Sequence, residues 1–181
     1  VKLPLLAGLA AAASLAIWYA DSHAFGRLSL YSDPAFTACT LSDAAPGVAS
    51  IYVVETADIS VAVWFRVTAS SGFTGVWLSD ATTYSKTGSS QTGLGVHFNK
   101  CLSGTWLVAT ITYQLFGTST CSQLAIAPGE GLAVPVCFDC FDELPCFNNT
   151  PLHVNCNDSF DCNPVAVEPS TWGHVKALYR R

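Results

Sequence analysis

Residues 105–116 (TWLVATITYQLF) alternate in side-chain character along their whole length. Leu107, Ala109, Ile111, Tyr113 and Leu115 fall on one face. Trp106, Val108, Thr110, Thr112 and Gln114 fall on the other. Successive side chains of an extended chain point to opposite sides, so this period of two predicts a strand with one buried face. Ile59, Val61, Val63, Phe65 and Val67 repeat the pattern against Ser60, Ala62, Trp64, Arg66 and Thr68. Shorter runs of the same kind are Arg27–Tyr31, Ala49–Glu55, Thr74–Leu78, Leu94–Phe98, Gln123–Ala127 and Leu132–Phe138. Turn-forming clusters separate them: Ser32-Asp33-Pro34, Ala45-Pro46-Gly47, Ser70-Ser71-Gly72, Gly117-Thr118-Ser119 and Pro128-Gly129-Glu130-Gly131. Short strands with turns between them, and no helical period within them, predict a mainly β chain folded as an antiparallel β-sandwich. A closed barrel is the competing architecture, because strand count alone does not separate the two.

The N-terminus has a different texture. Lys2 precedes an uncharged apolar stretch from Leu3 to Ala20, and Ser22-His23-Ala24 follows. A positive start, an apolar segment and a small-x-small site read as a signal peptide over residues 1–24, cleaved after Ala24. Retention as an anchor is the alternative, although the stretch is at the lower edge of a membrane span and rich in alanine. The expected organisation is a signal peptide at 1–24, a β-sandwich domain at 25–138, a Cys-rich loop or cap and linker at 139–169, and a C-terminal amphipathic helix at 170–181. Cleavage would leave no integral membrane domain and place the protein outside the cytoplasm, secreted or at the cell surface.

Export decides how the eight cysteines are read: Cys39, Cys101, Cys121, Cys137, Cys140, Cys146, Cys156 and Cys162. An even number in an oxidising compartment predicts disulfides. Five of the eight fall within 137–162, where no period is visible and an irregular, disulfide-pinned cap is expected. A hairpin of 123–127 with 132–138 would set Cys121 beside Cys137 or Cys140. That is the expected pairing, with Cys39 to Cys101 as the early pair. Zinc is the competing use of Cys137-x-x-Cys140, Cys146, His153, Cys156 and Cys162, but one CxxC without a second at standard spacing is a weak metal signal. Asn155, Asn157, Asp158 and Asp161 supply oxygens that a structural calcium could use, though not at EF-hand spacing; Asx-turns in a polar loop are the simpler reading. No other cofactor is implied.

Only 12% of residues are charged, the net charge is −5, and Lys2, Lys176, Arg180 and Arg181 account for half of the cations. No basic patch remains to track phosphates, which excludes nucleic acid as a partner. Catalytic patterns are missing as well: there is no G-x-S-x-G, HExxH or Walker-type run. Asp33 and Asp80 read as turn residues. A Ser/His97/Asp33 triad would require chance assembly in three dimensions. Trp64, Trp77 and Trp106 lie on expected strands. On one exposed face they would stack on sugar rings, and in the core they would supply packing area. At the C-terminus, Ser170 is a candidate N-cap. Trp172, Val175, Leu178 and Tyr179 share one helical face, suited to a partner or to the domain itself.

Several segments together carry a resemblance. They are Tyr31-Ser32-Asp33-Pro34-Ala35-Phe36-Thr37-Ala38-Cys39, Tyr52-Val53-Val54, Val63-Trp64-Phe65-Arg66-Val67, Cys101-Leu102-Ser103-Gly104, and the closing run from Thr171 to Arg180 (TWGHVKALYR, pattern TWGxVKxLYR). In these the chain resembles a group of uncharacterised secreted bacterial proteins whose shape is similar to cohesin-like and immunoglobulin-like sandwiches. The resemblance implies a fold and export rather than an activity. Three function classes follow. The expected one is a non-enzymatic extracellular or cell-surface structural or interaction module, acting on an extracellular or cell-surface partner. The alternatives are a carbohydrate- or ligand-binding module that uses the tryptophans, and an extracellular hydrolase.

Overall fold

The computed structural model describes residues 26–140 and 143–157. The expected signal peptide, Asp158, Asp161, Cys162 and the C-terminal run with Trp172, Val175, Leu178 and Tyr179 lie outside the described residues. Among the described residues, eleven strands form one continuous hydrogen-bonded sheet. Its frame is a pair of long strands, β3 (Pro46–Ala69) and β6 (Gly93–Phe116), each of 24 residues. They pair antiparallel from Pro46 opposite Phe116 to Phe65 opposite Leu94. The two separate strands expected in each region are thus one, with bulges where breaks are expected.

Three strands share the other edge of β3: β1 (Arg27–Tyr31) along Tyr52–Thr56, β8 (Val136–Phe138) along Ala62–Trp64, and β7 (Ser122–Ala127) along Arg66–Ala69. The free edge of β6 takes β4 (Val76–Ala81) and β5 (Ser85–Ser89). β7 continues to β11 (Leu152–Val154), which pairs parallel with β2 (Thr40–Leu41). β10 (Phe147–Thr150) runs parallel to β1, and β9 (Glu143–Pro145) pairs with β8. β3 therefore passes from one layer to the other. Leu28, Leu30, Ile51, Val53, Ala109, Ile111, Tyr113 and Leu115 on the first layer share a core with Leu124, Ile126 and Leu152 on the second. The fold is a mainly β sandwich, antiparallel along its central ladder and parallel at the two pairings named.

Bulges correct the expected faces. Val53 stands opposite Ala109 but Val54 opposite Leu107, so Val108 is an extra residue on β6. One inserted residue reverses the alternation beyond it. Leu107 is consequently exposed, while Val108 is buried and Trp106 packs against the core. Register shifts between Ala57 and Ala62 have a similar effect on β3, leaving Ile59 exposed and Ser60 buried. Asp80 is corrected too. It lies within β4 rather than in a turn, where its carboxylate accepts from Trp77 Nε1 (3.0 Å), Ser90 N (2.8 Å) and Ser90 Oγ (2.6 Å).

The expected hairpin of 123–127 with 132–138 does not form. Leu132 and Val134 are exposed, and only Val136–Phe138 is strand, paired with β3 and β9 rather than with β7. The disulfides change with it: Cys101 bonds Cys140, Cys121 bonds Cys156 and Cys137 bonds Cys146. Cys39 is also disulfide-bonded, and not to Cys101. The expected irregular cap contributes β9, β10 and β11, with Leu152 and Val154 fully buried.

A buried polar node ties three loops together beside these strands. Asp43 accepts from Gly117 N at 2.7 Å and Ser119 N at 3.0 Å, and donates its own N–H to Asn155 Oδ1 at 2.7 Å. Asn155 Nδ2 donates back to Asp43 O and Ser119 O. Burial works against the Asp43 charge. The Ser119 hydroxyl and the N–H groups of Gly117, Ser119 and Thr118 outweigh it, so the carboxyl sits below its ordinary 3.8. A lowered folded pKa contributes stability that is present above the ordinary value and lost as pH falls through the folded one.

Two outcomes follow from these contacts. Non-reducing peptide mapping should recover Cys101–Cys140, Cys121–Cys156 and Cys137–Cys146 as linked pairs. Asp43→Asn replaces one accepting oxygen with a donor and should cost about 1–3 kcal/mol in urea unfolding at pH 7. The gap between wild type and variant should narrow as pH is lowered through 4 and below, because the wild-type carboxyl then protonates.

Candidate functional site

Two surfaces stand out. The first is the outward face of β3, β6 and β4. Residues paired across a ladder point to the same side, so Val48, Gln114 and Val76 form one row. Ser50, Thr112 and Ser79 form the next, and Pro46 and Phe116 a third. The opposite parity, with Ile51, Ile111 and Tyr113, is buried in the core. Val48 is 65% exposed, Val76 53% and Phe116 45%, and Leu78, the extra residue of a bulge between Trp77 and Ser79, is 48% exposed. No Asp, Glu, Lys or Arg falls in these rows. A face with exposed apolar side chains, hydroxyls and no charge has the composition of the central part of a protein interface.

The second surface surrounds Trp64. Its cross-strand partner is Gly95, where a Cβ would come within 2.6 Å of the indole Cε3. Gly129 covers the pyrrole edge, and a Cβ there would overlap Nε1. The Gly129 turn is held down by Glu130 N donating to Thr92 O at 2.9 Å. Nε1 itself has no hydrogen-bond partner. Beside the ring lies a cavity of about 210 Å³ lined by Ala62, Trp64, Ser85, Lys86, Thr87, Gly95, Val96 and His97. Lys86 Nζ donates to Asp80 O at 2.6 Å, and His97 Nδ1 accepts from Asn99 N at 3.2 Å.

The three strand tryptophans do not make one exposed platform. Trp77 and Trp106 are half-buried against the core, and Trp106 meets Phe98 edge-on at 5.6 Å. Trp64 lies beside a cavity. The Asp33 carboxylate is closed within its own loop by Ala35 N, Thr37 N, Thr37 Oγ1 and Ala38 N, so it does not serve His97. Of the calcium candidates, Asn155 spends its side chain on Asp43 and Ser119, and Asn157 is exposed. The sulfurs of Cys137, Cys140, Cys146 and Cys156 are in disulfides rather than held as thiolates for zinc. Among the described residues no cluster of His, Cys, Asp and Glu could hold a metal, and no helix is long and apolar enough to cross a membrane. The outward face was not singled out from the sequence. Its signal was the unusual alternation of apolar residues with Ser, Thr and Gln rather than with charges.

No protein-family model and no curated protein matches the sequence. Solved structures similar in fold include a CaDoc0917–CaCohA2 complex, at 11% identity over 71% of this chain and 99% of that chain, with a TM-score of 0.48. They include CaCohA2 from Clostridium acetobutylicum, at 9% identity over 73% and 90%, with a TM-score of 0.48. The sixth cohesin of Acetivibrio cellulolyticus scaffoldin B, in complex with a Cel5 dockerin, is 13% identical over 72% and 98%, with a TM-score of 0.43. At these identities and scores the likeness says nothing about partner or activity, which rest on this chain's own residues.

Gly95→Ala tests the glycine seat of Trp64. The added methyl group should displace the indole, cost about 1–3 kcal/mol by overpacking, and shift the Trp64 indole N–H resonance. An unchanged resonance would mean that the seat is looser than the geometry indicates.

Proposed function

We propose that this protein is a non-enzymatic extracellular interaction module that docks a protein partner on the outward face of β3, β6 and β4. The observation that carries the reading is the row Val48–Gln114–Val76, flanked by Phe116 and Leu78. Val48, Val76, Phe116 and Leu78 are large apolar side chains left in water on a face whose rows carry no charged residue. A soluble domain gains nothing from such a face unless something covers it. Uncharged apolar and hydroxyl groups suit a partner surface of the same kind, because no ion pair has to be desolvated. Disulfide bonding and an apolar leader support an extracellular setting.

Binding of a small carbohydrate beside Trp64 is the second reading, favoured by the cavity that the indole shares with Ser85, Thr87 and His97. Its volume accommodates about one ring and is below that of common ligand pockets.

The double variant Val48→Asp/Val76→Asp places two charges on the face without touching the core. It should retain the wild-type melting temperature and lose retention on the producing cell's surface. Equal retention of variant and wild type would remove the face from the proposal, and Trp64→Ala, measured alongside, would show whether the cavity is responsible instead.

A further inference from the structure

Glu55 is fully buried on the inner side of β3, with Leu28 of β1 and Trp106 of β6 as its cross-strand partners. Neither of its carboxylate oxygens has a hydrogen-bond partner. The Ser60 hydroxyl is directed at Phe138 O (3.3 Å) and Ala62 O (3.4 Å), and Trp106 Nε1 has no partner either. Asp43 and Asp80 are each met by several donors, so an unmet carboxyl is out of character for this fold. Left alone inside a protein, a carboxyl is costly in either form: charged, it lacks a counter-ion, and neutral, it lacks hydrogen bonds. A group retained on those terms calls for a chemical use.

What lies beside Glu55 indicates that use. A Cβ on Gly26 would stand 2.8 Å from Glu55 Oε1 and 2.6 Å from Cys137 Sγ. The carboxyl oxygen and the sulfur thus converge on one small space beside Gly26. Cys137 is the β8 residue opposite Val63, and its sulfur is bonded to that of Cys146; both cysteines are buried. Opening a disulfide expels one sulfur as a thiolate, and a buried thiolate is as unfavourable as a buried carboxylate. A proton delivered to that sulfur removes the charge. Burial pushes the Glu55 carboxyl up to about 8, with Ser60 pulling it partly back, so the group is mostly neutral at pH 7 and has a proton to give. An ordinary thiol titrates at about 8.5, so the proton passes between the two at little cost. Among the described residues, β1 and the residue before it, β6 and β8 set Leu28, Gly26, Trp106 and Cys137 around Glu55. None of these is charged, and only Cys137, once reduced, titrates.

We infer that Glu55 is the proton donor to Cys137 when an external dithiol opens the Cys137–Cys146 bond, and takes that proton back when the bond closes. A thiolate of the dithiol attacks Cys146 Sγ and forms a mixed disulfide with it. The Cys137–Cys146 bond breaks, its electron pair goes to Cys137 Sγ, and the Glu55 proton follows. Glu55 is left as a carboxylate that accepts from the new Cys137 S–H. The second thiol of the dithiol then displaces Cys146 from the mixed disulfide, and its proton ends on Cys146. The protein disulfide is reduced to two thiols and the dithiol is oxidised to a disulfide. Closure against an external disulfide runs the same steps backwards. In the bonded state the carboxyl has no partner because the S–H that would meet it has been consumed in the bond. Cys137–Cys146 is thereby an exchangeable clasp. Cys121–Cys156 is a fixed one, its Cys156 Sγ lying against the carbonyls of Ser122 and Val154, which have no proton to give. The docking face has no part in this chemistry.

The test uses the oxidised full chain under native conditions, with dithiothreitol as the dithiol. Thiols released are alkylated at intervals and mapped, so that each bond is timed separately, and rates are corrected for the thiolate fraction of dithiothreitol. At pH 7, Glu55→Gln should open Cys137–Cys146 about tenfold more slowly than wild type, with Cys121–Cys156 unchanged. The margin should shrink above about pH 8, where the wild type has lost the proton it donates. A merely structural Glu55 gives the opposite trend. Its pKa is raised on folding, so stability is lost as pH rises through about 8, and wild type would open faster than the variant by a growing margin. Equal rates at pH 7, equal slowing of both bonds, or a margin that fails to shrink with pH would overturn the assignment. Should Glu55→Gln fail to fold, infrared titration of the buried carboxyl in wild type decides the question. Its midpoint should fall once Cys137–Cys146 is open, because the S–H then bonds the carboxylate. The same midpoint in both redox forms would overturn the donor role.

Discussion

Between Pro46–Phe116 and Phe65–Leu94, β3 and β6 share one antiparallel ladder, and five further strands attach directly to its two edges. β1, β8 and β7 follow one another along β3, while β4 and β5 follow one another along β6. Strands this long do not stay flat: their right-handed twist accumulates, and bulges such as the one at Val108 let them bend. A single strand can thereby serve both layers of the sandwich, which is how β3 joins β1 at one end and β7 at the other. The outward face and the Trp64 cavity both sit on this ladder, near opposite ends of it.

Three carboxylates inside the fold show how differently a buried charge can be treated. Asp80 is met by the Trp77 indole and by the Ser90 hydroxyl and N–H. Asp43 is met by two backbone N–H groups and holds the β6–β7 turn against the loop after β2. Each substitutes fixed dipoles for water, which makes burial of a charge tolerable. Glu55 has neither arrangement and lies instead against Gly26.

The disulfides reinforce the segments that the ladder holds least. Cys101 of β6 bonds Cys140 just beyond β8, and Cys121 before β7 bonds Cys156 just after β11. Cys137 bonds Cys146 across only nine residues, beside the two short strands β8 and β9. Strands of three residues bury too little surface to order themselves, so cross-links that restrict the unfolded chain have their largest relative effect there.

Much of the fold was legible in local pattern. The alternation of 105–116 and 59–68 marked the two long strands, and Arg27–Tyr31 was delimited as it stands in the structure. The parity of Ile51, Val53 and Glu55 also contained a sign that an acidic residue faced the core. What local pattern could not specify was anything requiring knowledge of a distant partner. The inserted Val108 turns Leu107 outward and Trp106 inward, and only the register against β3 reveals it. Cys121 finds Cys156 rather than Cys137 because β7 pairs with β11 and not with β8. β9, β10 and β11 are too short to carry a period, and they become strands because an edge is waiting for them. Sequence alone determined the class of fold, since alternation dictates which residues seek a core. Tertiary structure decided registers, disulfide partners and the exposed face, since these depend on which edges meet.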